Sequence, residues 1–307
     1  MKHYIKKLAN DFGFGHCGFA AARPLDIEFQ HYLHWLELDF EADMHYLTKY
    51  LEKRKNPLEI LPTAKTIIVL AHSYKTPFEY PAASEPVGYI ARYAWGDDYH
   101  DVLKEKASLI MQKLSEKEDF EYKIYVDTGP VLERAWAVRS GVGWQGKNGN
   151  IINSELGSYI FLCVVLVSLE LEPDTPAKDY CGTCQRCLLA CPTGAIVQPK
   201  VVDARRCLAY WNIEAKPEVT PPQEISGKFG SRLFGCDICQ EVCPYNKKNN
   251  YTQETRFYPR NGETALNLIE ILSMTQQQFS ERFRRSPIKR KKLQGLKKNA
   301  EILFKNV

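Results

Sequence analysis

Long apolar runs are missing from this 307-residue sequence. None reaches the roughly 18 residues that read as a membrane-spanning helix, so no membrane association is expected. The first residues, MKHYIKKLANDFGF, lack the apolar stretch and small-residue cleavage site of an export signal, which makes the cytoplasm the expected compartment. The glycine-rich stretch 126–152 contains neither G-x-G-x-x-G nor G-x4-G-K-[ST], so a dinucleotide or P-loop site has no motif support there. Cysteine is nearly absent from most of the chain: of ten, only Cys17 and Cys163 lie outside residues 181–243. A reducing compartment disfavours disulfides, and eight cysteines crowded into one region point to metal rather than cross-links.

What is present is a globular composition, 44% hydrophobic and 25% charged, with length for two or three domains. TIIVLAHSY (66–74) and YKIYVDT (122–128) read as strands. YHDVLKEKASLIMQKLSEK (99–117) places Leu103, Ala107, Ile110, Met111 and Leu114 on one face of a helix. NIINSELGSYIFLCVVLVSLEL reads as a hairpin around an ELG turn. Residues 1–170 are therefore expected to form an α/β or α+β domain. EPDTPAKD (172–179) reads as a linker into a cysteine-rich domain spanning 171–250, and 251–307 reads as a helical, basic region.

The net charge of +4 is unevenly placed. Ten Lys and Arg between residues 281 and 307 face Glu281 and Glu301, a local +8 that leaves −4 for the remainder. Such a block suggests a polyanionic partner such as nucleic acid, against the simpler reading of a solvated helix face.

Cys181, Cys184, Cys187 and Cys191, followed by Pro192, fit C-x2-C-x2-C-x3-C-P. In that run three thiolates hold one 4Fe-4S cluster and the fourth reaches across to a second. The second set is present as Cys236, Cys239 and Cys243 with Pro244, and its missing member is most economically Cys207, displaced upstream. The expected ligands are Cys181, Cys184, Cys187 and Cys243 for one cluster, and Cys191, Cys207, Cys236 and Cys239 for the other. Zinc would not need the crossed run with a proline after each last cysteine. Cys163, in an apolar strand, reads as a small core residue.

Two clusters move single electrons, so other residues must carry the chemistry. VDTGPVLERAWAVRSGVGWQGKNGNII (126–152) mixes Asp127, Glu133, Arg134, Arg139, Lys147 and Asn148 with Gly141, Gly143, Gly146 and Gly149. The competing reading is a glycine-rich loop beside salt-bridged helix residues. Asp127 ends a strand, and a carboxyl held protonated there by burial would deliver a proton.

Four stretches together resemble the epoxyqueuosine reductase family: ARYAWGDDYH (91–100), VDTGPVLERAWAVRSGVGWQGKN, CGTCQRCLLACPTGAI (181–196) and GCDICQEVCPYN (235–246). The resemblance implies a nitroreductase-like cobalamin-binding domain, a ferredoxin-like domain with two 4Fe-4S clusters and a short helical C-terminus. It implies reduction of epoxyqueuosine to queuosine in a tRNA anticodon loop, fed by a low-potential electron donor. Asp127 takes the place of the family's proton donor. Cobalamin contacts are expected at Arg134, Gln145, Lys147, Asn148, Cys236 and Asp237. DYHDVL (98–103) matches only the beginning of D-x-H-x-x-G, so His100 is not expected to ligate cobalt.

Substrate RNA is expected at Lys216 and at the basic residues Arg282, Arg284, Arg285, Lys289, Arg290, Lys291, Lys292, Lys297 and Lys298, since such side chains position a phosphate backbone. Tyr210 and Trp211 suit either base stacking or packing over a cluster. A monomer is expected. The competing functions are a reductive dehalogenase-like reductase of a small molecule, which does not require the basic tail, and a pure electron carrier, which leaves residues 1–170 unexplained. A flavin in place of cobalamin is separated from it by an absorption spectrum.

Overall fold

The computed structural model describes residues 1–82, 86–247 and 249–305; the last two positions of the expected helical region lie outside these. Along the chain the strands are β1 (His16–Ala21), β2 (Thr66–Ser73), β3 (Val87–Ile90), β4 (Tyr122–Tyr125), β5 (Trp144–Gln145), β6 (Ile151–Ile152), β7 (Ile160–Val167), β8 (Ile196–Gln198), β9 (Val201–Val202), β10 (Arg232–Phe234) and β11 (Ala265–Asn267). The main sheet runs β1-β2-β7-β4, antiparallel throughout.

β2 and β7 are almost continuously apolar because helices cover both faces of this sheet. Alternate side chains go to opposite sides. Ile68 and Leu70 meet the helices Lys2–Asp11 and Tyr99–Ser115, while Ile67, Val69 and Ala71 meet Trp136 and Ala137 of the helix Glu133–Arg139. The five apolar residues predicted to share a face of the 99–115 helix are all fully buried. Each large one contributes about 1.5–3 kcal/mol. Asp98 caps that helix by accepting from the His100 N–H.

The hairpin expected around the ELG turn does not form. β6 pairs with β5, and β7 pairs with β2 and β4; a single bridge joins Asn153 to Gly157. The Asn153 side chain explains the divergence. It donates to the Val142 carbonyl and accepts from the Glu155 and Leu156 N–H groups, closing a local turn that turns the chain out of the ladder.

A second sheet, β10-β3-β11, joins distant parts of the chain: β3 comes from the first 170 residues, β10 from the cysteine-rich stretch and β11 from the basic region. The strand β11 precedes the helix Leu268–Ser273, so ETALNLIEILSM is only partly helical. Leu233 and Phe234 pack with Leu296, Ala300 and Leu303 of the terminal helix Lys292–Lys305. The expected linker is pinned too, since the Asp174 N–H donates to the Phe19 carbonyl and its carboxylate pairs with Lys2 and Lys6. Among the described residues no helix is long and apolar enough to cross a membrane.

Asn299, 2% exposed, donates to the carbonyls of Asn212 and Leu233. Asn212 in turn donates to the Arg232 and Gly235 carbonyls and accepts from the Gly235 N–H. These bonds fasten the terminal helix to the backbone next to Cys236. Asn299→Ala is expected to destabilise by about 1–3 kcal/mol, because two buried carbonyls lose a partner; the denaturation midpoint checks it.

Candidate active site

Where the two sheets meet lies a cavity of about 450 Å³. Its walls come from segments far apart in the chain: Tyr93 after β3, Asp127 after β4, Glu133 and Arg134 at the start of a helix, Asn148 in the glycine-rich loop, and Cys236 and Asp237 after β10. Gly235 makes the approach of the last pair feasible. It is left-handed at φ +75°, and a Cβ there would collide with Ala91. Asp237 clamps the junction through one carboxylate oxygen, which accepts from the Arg92 N–H at 2.7 Å and the Tyr80 hydroxyl at 3.1 Å.

Asp127 also adopts a left-handed backbone, at φ +56°, a conformation unfavourable for a residue with a Cβ. Its side chain is 58% exposed, which leaves the carboxylate open to a ligand. One oxygen accepts from the Tyr99 hydroxyl at 3.1 Å and faces His100 Nε2 at 3.4 Å. His100 Nδ1 lies 2.6 Å from Asp98. The Asp127 N–H donates to the Glu133 carboxyl at 2.6 Å.

The charges follow from these contacts. Burial alone would lower the His100 pKa, but hydrogen bonds with Asp127 and Asp98 outweigh it and raise it from 6.5 to about 9. Desolvation by the surrounding cavity walls would raise Asp127, yet the His100 and Tyr99 hydrogen bonds take it below its ordinary value. The expectation that burial keeps Asp127 protonated is thus reversed: near neutral pH the proton sits on His100. Glu133 behaves oppositely, pushed up to about 8 by burial and then by the Asp127 carboxylate.

The eight crowded cysteines divide between two cavities. Cys191, Cys207, Cys236 and Cys239 line the one that holds Asp127, while Cys181, Cys184, Cys187 and Cys243 line a second. All are free thiols. Among the described residues no three His, Cys, Asp or Glu side chains converge on a single-ion site. Sulfurs ringed around a void suit a cubane cluster, whose irons lie at its corners, better than one zinc. The helices Arg186–Ala190 and Ile238–Glu241 each carry a cysteine and end at a Cys-Pro pair, so the two halves repeat one another.

Of the expected cofactor contacts, Arg134, Asn148, Cys236 and Asp237 line the first cavity. Lys147 does not; its ammonium donates to the Gly182 and Cys184 carbonyls beside the second cavity. Gln145 sits in β5, paired with Ile151, away from the lining. The lining has apolar walls, such as Ile151, Phe161 and Leu208, with a few polar groups between, the character of a site that holds an organic cofactor by packing and hydrogen bonds. The reading of residue types missed Tyr93, Tyr99 and the Asp98–His100 pair as a set. The spacing D-Y-H was its only signal.

The basic residues are not equally available. Lys291 is 5% exposed and donates to the Trp211 and Ala215 carbonyls, so it is withdrawn from any RNA surface. Lys298 is spent on the Pro217 and Val219 carbonyls, Arg282 on Glu263 and Glu270, and Arg290 on Glu214. Arg285 keeps a loose pair with Asp101. Lys216, Arg284, Lys289 and Lys292 are exposed, and Lys297 is half-buried. Tyr210 is buried and Trp211 donates to the Arg205 carbonyl, which is packing rather than a free stacking face.

Because the folded His100 pKa is raised, the pair with Asp98 and Asp127 stabilises fully below about 6.5 and is lost as pH rises through about 9. An NMR titration of the His100 ring is expected to show a midpoint near 9 that falls when Asp98→Asn removes one partner.

Comparison with known proteins agrees with this geometry. A family model described as epoxyqueuosine reductase QueG, DUF1730, matches residues 54–128, and one described as a 4Fe-4S double cluster binding domain matches residues 180–246. The chain is 41% identical over 302 residues to the epoxyqueuosine reductase of Atelocyanobacterium thalassa, covering 97% of each. A crystal structure of epoxyqueuosine reductase with an epoxyqueuosine-modified tRNA-Tyr stem loop superposes with a TM-score of 0.93 at 32% identity, covering 99% of this chain and 81% of that one. The Bacillus subtilis enzyme, described with its aspartate catalytic loop swung out of the active site, gives 0.91 at 32% identity, with coverage of 99% and 81%. With its nitroreductase-like and double-cluster parts in one α/β chain, the protein belongs to the epoxyqueuosine reductase family.

Proposed function

We propose that this protein reduces epoxyqueuosine to queuosine in the anticodon loop of tRNA, with cobalamin in the first cavity and a 4Fe-4S cluster at each set of four cysteines. The observation that carries the reading is that Asp127 lines the same cavity as Cys191, Cys207, Cys236 and Cys239, so an acid and an electron source face one space. The reaction removes the epoxide oxygen as water with two electrons and two protons. Cobalamin, when bound, supplies a strongly reducing centre that low-potential clusters can feed. Arg134 and Asn148, with the backbone at Cys236 and Asp237, would hold it.

The chain's own residues manage the proton. Asp127 stands at the cavity with an accessible carboxylate, and His100 carries the proton that refills it. Asp98 fixes the imidazole orientation through Nδ1. Donation to the oxygen as the ring opens is worth roughly 10²–10⁴ in rate. A loop that swings in a relative gives Asp127 a route between the two partners. Electrons enter from a low-potential donor at the cluster of Cys181, Cys184, Cys187 and Cys243 and pass to the one beside the cavity.

This reading assigns residues 1–170 to the cobalamin-binding part, 171–250 to the ferredoxin-like part and 251–307 to a basic helical region, in a cytoplasmic monomer. The phosphate contacts fall to Lys216, Arg284, Arg285, Lys289, Lys292 and Lys297, the basic side chains left without strong internal partners.

Anaerobically reconstituted protein with cobalamin and a strong reductant is expected to convert epoxyqueuosine-tRNA to a nucleoside lighter by one oxygen, and only with cobalamin added. Absence of conversion by protein shown to hold clusters and cobalamin would reject the substrate. Asp127→Asn is expected to keep clusters and cofactor and lose turnover; activity near that of the unaltered protein would remove it as the donor. Lys289→Glu with Lys292→Glu is expected to weaken tRNA binding and flatten its salt dependence, leaving iron content unchanged.

A further inference from the structure

We infer that Glu133 is a positioning residue: its carboxyl, by accepting the Asp127 N–H, holds the catalytic loop in the left-handed turn that presents Asp127 to the cavity. The inference rests on Asp127 being the proton donor, and deepens that reading.

Three observations converge on it. First, the turn needs a tether. Asp127 stands at φ +56°, which for a residue with a Cβ persists only when neighbours enforce it. Thr128 bonds back locally to Val126, and Gly129 lies against the Tyr125 ring so closely that a Cβ would collide with it. These contacts tighten the loop on itself without fixing where it points.

Second, Glu133 is on a rigid element and reaches the right atom. It opens the helix Glu133–Arg139, whose Trp136 and Ala137 are buried against the main sheet. From there its carboxyl meets the Asp127 N–H at 2.6 Å, the backbone contact that joins the turn to that helix. Tyr99 and His100 bind the Asp127 side chain instead, and they must let go when it turns to substrate. A backbone tether survives that movement.

Third, the electrical setting suits a neutral holder. The groups around Glu133 are Asp127, His100, Tyr99, Arg134 and the buried Cys163. A protonated carboxyl still accepts an N–H through its carbonyl oxygen, and places no second negative charge beside Asp127. Ionisation of Glu133 through about 8 would set two carboxylates side by side, hold the proton on Asp127 more tightly and so oppose its donation.

The test uses the reconstituted holoenzyme carrying Glu133→Ala or Glu133→Gln, with iron and cobalamin content measured first. Amide hydrogen exchange at Asp127, Thr128, Gly129 and Val131 reports the loop, and kcat and KM for tRNA report its use. The alanine variant is expected to exchange faster at Asp127 and to lose about 10²-fold in kcat with KM unchanged, the scale of a misplaced catalytic group. The glutamine variant, whose amide oxygen accepts the same N–H, is expected to restore slow exchange and most of kcat, and to lose the activity decline near pH 8. Slow exchange with full kcat in the alanine variant would overturn the inference. So would a loss of cobalamin from it, which would make Glu133 a cofactor contact, or a glutamine variant as poor as alanine. Asp127→Asn separates the premise: if it stays active, the donor reading fails, while exchange in the Glu133 variants still reports on the tether.

Discussion

β3 hydrogen-bonds β10 on one side and β11 on the other, and the rest of the site depends on that three-stranded pairing. The Ala91 N–H reaches the Phe234 carbonyl, the Arg92 N–H reaches the Asp237 carboxylate, and the left-handed Gly235 between them lets two backbones touch. Without this junction the cysteine-rich stretch would fold as a neighbour of the first sheet. With it, cluster ligands and the aspartate loop face one another across a shared void. The burial of Asp237 is tolerable because its carboxylate oxygen is satisfied by a backbone N–H and a tyrosine hydroxyl.

The first sheet and its helices were legible in the residues because they obey simple periodicities. A period of two separates Ile68 from Ile67 across β2, and a helical stripe collects Leu103, Ala107 and Ile110. The cysteine-rich stretch was legible as a double-cluster region for a different reason: few uses of cysteine require that spacing. The failures came where a side chain bonds backbone. Asn153 diverts a hairpin, and Lys291 and Lys298 give their charges to carbonyls inside the fold, though composition alone presents them as surface. Gln145 and Lys147 are neighbours of Asn148 in sequence, yet Lys147 lines the second cavity and Gln145 neither, a separation that residue spacing does not reveal.

The protonation of Asp127 is a subtler case. Burial and hydrogen bonding act on a carboxyl in opposite directions, and the sign depends on partners that only the fold assembles. His100 was read for its relation to cobalt and found instead between two carboxylates. Its raised pKa leaves the proton on nitrogen rather than on the Asp127 carboxylate, while Glu133 is pushed the other way.

Cys17 and Cys163 stand apart from this machinery. Both are buried in the first core, and burial pushes the Cys17 thiol up to about 12 and Cys163 higher still. A thiol so far from ionisation is a poor nucleophile. A thiol-specific dye added to the folded chain near neutral pH therefore meets two sulfurs in the first core that stay silent whatever the other cysteines hold. Their silence comes from packing alone, so their appearance in a sulfhydryl count marks the opening of that core.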